Sequence, residues 1–140
     1  MPATLFKFDT SGPGLYEITS EVAKWTRTFE HGLLTLMLQH TSASLLIQEN
    51  ADPDVQSDLQ EFFQRLVPPS NHPSMQYLRH TLEGPDDMPA HIKAAMMPVS
   101  LSIPVIGGRL SLGTWQGIYI FEHRDRPHRR LVRGQFIADQ

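Results

Sequence analysis

The chain has 140 residues, 40% of them hydrophobic, a formal net charge of −3 and no cysteine. The missing thiols exclude disulfides, thiolate zinc sites and cysteine nucleophiles, and the acidic balance disfavours bulk attraction to nucleic acid or acidic membranes. Such a length suits one hydrophobic core, so a single domain spanning residues 1–140 is expected.

Thr4–Asp9 alternates, with Phe6 and Phe8 on one face, and predicts a strand. A Ser-Gly-Pro-Gly turn leads to a second short strand, Tyr16–Thr19. Thr19 or Ser20 can then cap a helix from about Glu21 to Phe29, ended by Gly32. Leu33–Gln39 and Ala43–Ile47 are strongly apolar and read as buried strands. Asp52-Pro53 is a helix start, an aspartate cap followed by proline at the first helical position. Val55, Leu59, Phe62, Phe63 and Leu66 follow at one-face helical spacing, and the helix stops before Pro68-Pro69. A loop rich in proline, serine and asparagine covers Pro68–Met75, and Ala90–Met96 is a short helix reached through Asp87 and Pro89. Val99–Val105, Arg109–Leu112, Gly117–His123 and Arg129–Ile137 are strands separated by Gly-Gly, Gly-Thr and Arg-Pro turns.

This order predicts an α+β fold, a mostly antiparallel sheet sandwich with two to three helices. Neither a P-loop nor a G-x-G-x-x-G fingerprint is present. The segment from Met1 has no signal-peptide pattern and no run approaches the roughly 20 apolar residues of a membrane span. A soluble, cytoplasmic protein without a membrane partner is therefore expected.

The densest concentration of chemistry is His80-Thr-Leu-Glu-Gly-Pro-Asp-Asp-Met-Pro-Ala-His91, where two imidazoles bracket Glu83, Asp86 and Asp87. These side chains suit a metal, proton-transfer or phosphate-handling site; a solvated loop with a helix cap is the alternative. His91 is expected in the first turn of a helix, where the dipole favours a neutral ring suited to ligation or general-base work. His40-Thr-Ser-Ala-Ser stands at a strand end, where His40 can bind a metal, hydrogen-bond a phosphate or be satisfied by a backbone carbonyl. If His40, His80 and His91 converge, they make a three-histidine zinc site with an open position.

Glu49 and Asn50 lie at a strand exit beside a helix N-terminus, where anions are favoured and carboxylates can recruit magnesium for a phosphorylated substrate. Trp115 and Gln116 can stack on and hydrogen-bond a planar ring, or Trp115 can plug the end of the core. Arg124, Arg126, Arg129 and Arg130, with His123 and His128, form a basic cluster beside Glu122 that can hold phosphate. A solvated strand face or an RNA patch are its alternatives, the latter disfavoured by the acidic charge and the lack of interleaved aromatics.

The motifs His40-Thr-Ser-Ala, Glu49-Asn50-Ala-Asp52-Pro-Asp54-Val, Asp86-Asp87-Met-Pro-Ala-His91-Ile-Lys93, Ile103-Pro104-Val and Leu112-Gly-Thr-Trp-Gln-Gly-Ile-Tyr-Ile-Phe-Glu122-His-Arg124, with His80 among them, occur in the order that marks a known family. They resemble the YjbQ-type family, also named the secondary thiamine-phosphate synthase family, from about Phe6 to Val132. Arg133–Gln140 match its apolar final strand less well. The resemblance implies a compact α+β homotrimer with sheets packed around the threefold axis. It also implies weak thiamine-phosphate synthesis, in which a pyrimidine methyl diphosphate joins a thiazole phosphate and pyrophosphate leaves.

The residues read above fit that chemistry. His40, His80 and His91, with Asp86 or Asp87, neutralise the leaving group, the three histidines holding a divalent metal, zinc or magnesium. Trp115 and Gln116 take the pyrimidine, and Arg124 or Arg130 the phosphates of a small phosphorylated substrate, with Glu49 and Asn50 in the same binding set. A non-catalytic trimeric protein that binds a metal or small ligand, or a metal-dependent hydrolase, are the alternative readings.

Overall fold

The structure, a computed structural model, describes residues 2–139; Met1 and Gln140, the ends of two of the stretches read above, lie outside the described residues. Eight strands follow in chain order: β1 (Ala3–Thr10), β2 (Gly14–Glu17), β3 (Gly32–Leu38), β4 (Ala43–Glu49), β5 (Ser100–Ile106), β6 (Arg109–Leu110), β7 (Gln116–Glu122) and β8 (His128–Ala138). Three α-helices, α1 (Thr19–Thr26), α2 (Pro53–Leu66) and α3 (Asp87–Met96), and a 3-10 turn at Pro73–Met75 complete the fold. The strands form a five-stranded sheet ordered β1-β8-β3-β5-β6 and a three-stranded sheet ordered β2-β7-β4, antiparallel throughout. The fold is therefore α+β, as expected. No helix among the described residues is long and apolar enough to cross a membrane.

One continuous core lies between the two sheets. Leu34, Leu36 and Leu38 of β3 alternate inward and meet Ile118 and Ile120 of β7, with Val22 of α1 and Ile18 just before that helix in the same cluster. Each such fully buried side chain contributes about 1.5–3 kcal/mol through lost water contact. β7 is buried along all but its first residue. Its other face carries Tyr119 and Phe121, and α2 covers it: Phe63 packs edge-on against Phe121 with centroids 5.9 Å apart, and Gln56 Nε2 donates to Tyr119 Oη at 3.0 Å. A strand covered on both sides has no polar face, so Ile-Tyr-Ile-Phe reads as an unbroken apolar run.

Several boundaries differ from expectation, each for a local reason. Asp52 caps α2 as predicted, its Oδ1 accepting from Asp54 N at 2.9 Å. The apolar face of that helix is only partly covered, however, since Phe62 and Leu66 are 57% and 53% exposed. α1 starts at Thr19, whose Oγ1 accepts from Ile118 N at 2.8 Å and donates to Glu17 Oε2 at 2.8 Å, so it ties the helix to the three-stranded sheet instead of capping it. Gly32 does not end α1. It lies in β3, where an added Cβ would come within 2.2 Å of the Ile137 carbonyl oxygen. α3 begins at Asp87, three residues before the predicted Ala90, which puts His91 one full turn inside the helix.

A buried ion pair joins the sheets at the end of β7, where the chain turns toward β8. Arg130 of β8 and Glu122 of β7 are 2% and 0% exposed. Arg130 Nε donates to Glu122 Oε1 at 2.7 Å, and its Nη2 donates to Glu122 Oε2 and to Ser42 Oγ at 3.0 Å. Thr10 Oγ1 donates to Glu122 Oε1 at 2.6 Å, while Glu122 Oε2 accepts the backbone N–H groups of His123 and Arg124. Burial opposes ionisation of Glu122, but the hydrogen bonds from Arg130 and Thr10 outweigh it and hold the carboxyl below its ordinary range. This network sets the backbone from which Arg124 projects.

Candidate metal centre

Asp87 opens α3 and His91 follows at i+4, so both lie on one helix face. The preceding loop brings His80 over the same spot. His80 Nε2 lies 2.6 Å, and His91 Nε2 3.2 Å, from Asp87 Oδ2. The three donor atoms fall within 4.8 Å of one another, the one such group of His, Asp or Glu among the described residues.

The groups behind these donors fix their orientation. Thr41 O lies 2.8 Å from His91 Nδ1; a carbonyl only accepts, so Nδ1 carries the proton and Nε2 is left facing Asp87. Arg124 Nη1 donates to Asp87 Oδ1 at 2.6 Å, which turns Oδ2 toward the imidazoles. Arg124 Nε donates to Asp86 Oδ2 at 2.8 Å, and Asp125 N donates to the same oxygen at 2.9 Å. Asp86 therefore anchors the arginine, and its carboxylate is not spent capping α3. Burial opposes ionisation of Asp87, but the hydrogen bond from His80 and the charge of Arg124 outweigh it. The carboxylate is ionised at neutral pH, the form a cation needs. His91 opens on a groove of about 360 Å³ shared with His40, Thr41 and Val99.

The expected three-imidazole cluster is thus corrected to two imidazoles and a carboxylate. His40 Nε2 accepts the Leu131 backbone N–H at 2.9 Å, so in the neutral ring Nδ1 carries the proton and neither nitrogen has a free lone pair. Burial and the nearby charge of Arg130 lower its proton affinity and favour that neutral form. His40 walls the groove beside His91 without joining the donors.

The remaining candidates fall elsewhere. Glu49 pairs with Gln116 in register across β4 and β7, and Asn50 N donates to Trp115 O at 2.9 Å. These four therefore share a neighbourhood, but at the start of β7, roughly 20 Å along the strand from Glu122 at its far end, and Arg124 lies beyond that end. Glu49 Oε2 accepts from Asp52 N at 3.0 Å, Gln116 Oε1 accepts from Gly113 N at 2.7 Å, and Trp115 is 62% exposed and does not plug the core. Arg124 and Arg130 hold no free fork for phosphate: the first is bound to Asp86 and Asp87, the second to Glu122. Arg129 pairs with Asp9 on the surface. Three arginines of the basic stretch are thus engaged by carboxylates.

Asp87 as a donor and Arg124 as its positioner were not separable from their neighbours by sequence alone. The signal that finds Asp87 is the D-x-x-x-H spacing, but it becomes legible only when α3 is started at Asp87.

Comparison with known proteins places this geometry in a family. The pattern of the family described as UPF0047 protein YjbQ-like matches residues 4–139. The UPF0047 protein sll1880 of Synechocystis is 49% identical over 125 residues, 88% of this chain and 82% of that protein. The UPF0047 protein YjbQ of Escherichia coli O157:H7 is 49% identical over 108 residues, 77% of this chain and 74% of its own. The crystal structure of a hypothetical protein from Aeropyrum pernix K1 superposes with a TM-score of 0.86 at 31% identity, covering 99% of this chain and 100% of that one. These findings overturn the expectation of thiamine-phosphate synthesis: the family and its relatives carry a UPF0047 designation, the structural neighbour is called hypothetical, and none supports that activity. The geometry agrees, because the presumed pyrimidine residues stand far from the donor cluster and both presumed phosphate arginines are bound internally.

Proposed function

The chain belongs to the UPF0047 YjbQ-like family, and from that premise we propose that it is a divalent-metal-binding protein whose ion is held by His80, Asp87 and His91. The observation that carries this reading is the pairing of His91 Nδ1–H with the Thr41 carbonyl. Metal-bound histidines commonly donate their other N–H to a carbonyl or carboxylate, and metal-bound carboxylates are themselves hydrogen-bonded, as Asp87 is by Arg124. Without a proton or cation between them, the His91 lone pair would face a carboxylate oxygen at 3.2 Å.

Ligands about 2.1 Å from a tetrahedral ion stand about 3.4 Å apart, so the His91–Asp87 separation already fits. The shorter His80–Asp87 separation opens by a swing of His80, the loop-borne and most exposed member, at 47%. Two imidazoles with one carboxylate suit zinc or iron better than magnesium, which prefers oxygen ligands throughout. Three protein ligands leave an open position, where a bound ion would supply Lewis acidity to a small ligand. Calorimetric titration of the chelator-stripped protein with zinc tests the reading: one ion binds per chain, Asp87→Ala abolishes binding, and His40→Ala retains it. Undiminished binding in Asp87→Ala refutes it.

The homotrimer is part of the same proposal. Leu33, Met37, Ile106 and Ile137 lie on the outer face of the five-stranded sheet and are exposed. An exposed apolar strip on a sheet face favours self-association. Light scattering is expected to give a mass of three chains, and Met37→Lys to lower it.

A further inference from the structure

The groove beside His91 holds a polar group that the metal reading leaves unused. Its space of about 360 Å³ lies within the roughly 300–1,000 Å³ of small-molecule sites. The bend after β3 brings His40 and Thr41 to it, and the start of β4 brings Ala43. From α3 come His91, Ala94 and Ala95, which stand at i, i+3 and i+4 on one helix face.

His40 is set in this wall by the backbone of β8. Leu131 N–H donates to its Nε2 at 2.9 Å, so Nε2 presents a lone pair and the ring is the Nδ1–H tautomer. Nδ1 has no partner among the described residues. It is also accessible, because the one buried side-chain polar atom without a partner among those residues is Nδ1 of His123. The result is a neutral N–H donor on a ring already held in place, so little freedom is lost when it binds.

The rest of the wall decides what that donor meets. Ala43, Ala94 and Ala95 offer methyl groups, and no Lys, Arg, Asp or Glu among the described residues lines the groove. A carboxylate or phosphate would give up water there with no cation to replace it. An uncharged carbonyl oxygen needs only one N–H, and an aliphatic body suits the methyl groups.

We propose that this groove is a binding site for a small uncharged carbonyl compound, an amide, ester or ketone on a short aliphatic body, whose oxygen accepts the His40 Nδ1–H. The site needs no ion: it meets the metal centre only at His91, whose Nε2 faces Asp87.

Nitrogen-15 NMR of the His40 ring tests it on the full chain, with and without zinc, during titration with isobutyramide and, separately, isobutyrate at neutral pH. His40 Nδ1 is expected at the shift of a protonated ring nitrogen, and isobutyramide moves it saturably in both states. Isobutyrate binds the zinc-free protein more weakly than the amide does. Ala95→Leu, at an exposed helix position that accepts leucine at little cost, fills part of the groove and weakens isobutyramide by about tenfold. His40→Ala, followed through the ligand's own signals, weakens it by about three- to tenfold, the loss of one hydrogen bond, and retains zinc. The proposal is overturned by the absence of a saturable shift or by a shift seen only with zinc, which would make the ion the anchor. Isobutyrate binding the zinc-free protein as tightly as the amide, or amide binding undiminished in Ala95→Leu, overturns it as well. The zinc-free titration stands whether or not the metal assignment does, so the two readings fail separately.

Discussion

At the residue scale, Asp87 is the point where the candidate centre is assembled, because its two oxygens are given separate tasks: Oδ1 receives Arg124 and Oδ2 faces both imidazoles. A carboxylate tied on one side keeps its other oxygen directed, which is what a ligand of a preformed site requires. His123 illustrates a different use of burial. Its folded-state value of about 3 lies below the ordinary 6.5 because burial, and then Lys93, oppose its charge. The unfolded chain therefore binds the extra proton in that window, so stability is full above about 6.5 and falls as the pH drops toward 3, by up to about 1.4 kcal/mol per pH unit. Denaturant unfolding of the metal-free protein is expected to lose about 2 kcal/mol from this group between about pH 7 and pH 5. His123→Gln, which preserves a group for Ser44 Oγ, 3.0 Å from the ring's Nε2, flattens that part of the profile. An unchanged slope in the variant contradicts the assignment.

At the element scale, the link that matters is between the start of α3 and the end of β7. Arg124 makes it, with Nε on Asp86 and Nη1 on Asp87. Arg124→Gln is expected to weaken zinc binding by about 10–100-fold, the usual effect of removing a group behind a metal ligand, and to lower the unfolding midpoint, because Asp87 is left buried without its cation; titration well below that midpoint, with thermal unfolding alongside, separates the two effects. The elements themselves were largely legible in the sequence. β3 and β5 carry Leu34, Leu36 and Leu38, and Leu101, Ile103 and Val105, at every second position, and Asp52-Pro53 marks the start of α2 through cap chemistry that needs no tertiary partner. Boundaries were legible only where the deciding interaction is local. Thr19 and Gly32 look like helix punctuation, but each answers to a distant strand, Ile118 in one case and Ile137 in the other. Likewise Asp86-Asp87 reads as a cap, while the structure assigns the pair to an arginine 37 and 38 residues away.

At the scale of the whole molecule, the two sheets meet through apolar packing everywhere except at Arg130–Glu122, where a charged pair spans the core. Such a pair is costly to break on one side, because the remaining charge is left buried. Glu122→Gln is expected to cost about 3–5 kcal/mol in equilibrium unfolding, whereas Glu122→Leu combined with Arg130→Met recovers most of that loss. The low folded-state carboxyl value of Glu122 works in the same direction: its contribution is present above the ordinary 4.5 and is lost as the pH falls through the folded value. The histidines had suggested a single centre because nothing in their spacing distinguishes a ligand from a ring that accepts a backbone N–H. Only the three-dimensional path of β8, which delivers Leu131 N to His40, makes that distinction.

The most direct test of the metal reading is anomalous diffraction at the zinc edge from crystals of the full chain soaked in zinc. The account predicts one strong peak about 2.0–2.2 Å from Nε2 of His80, Nε2 of His91 and an oxygen of Asp87. A peak coordinated by His40, or no peak beside the first turns of α3, contradicts it.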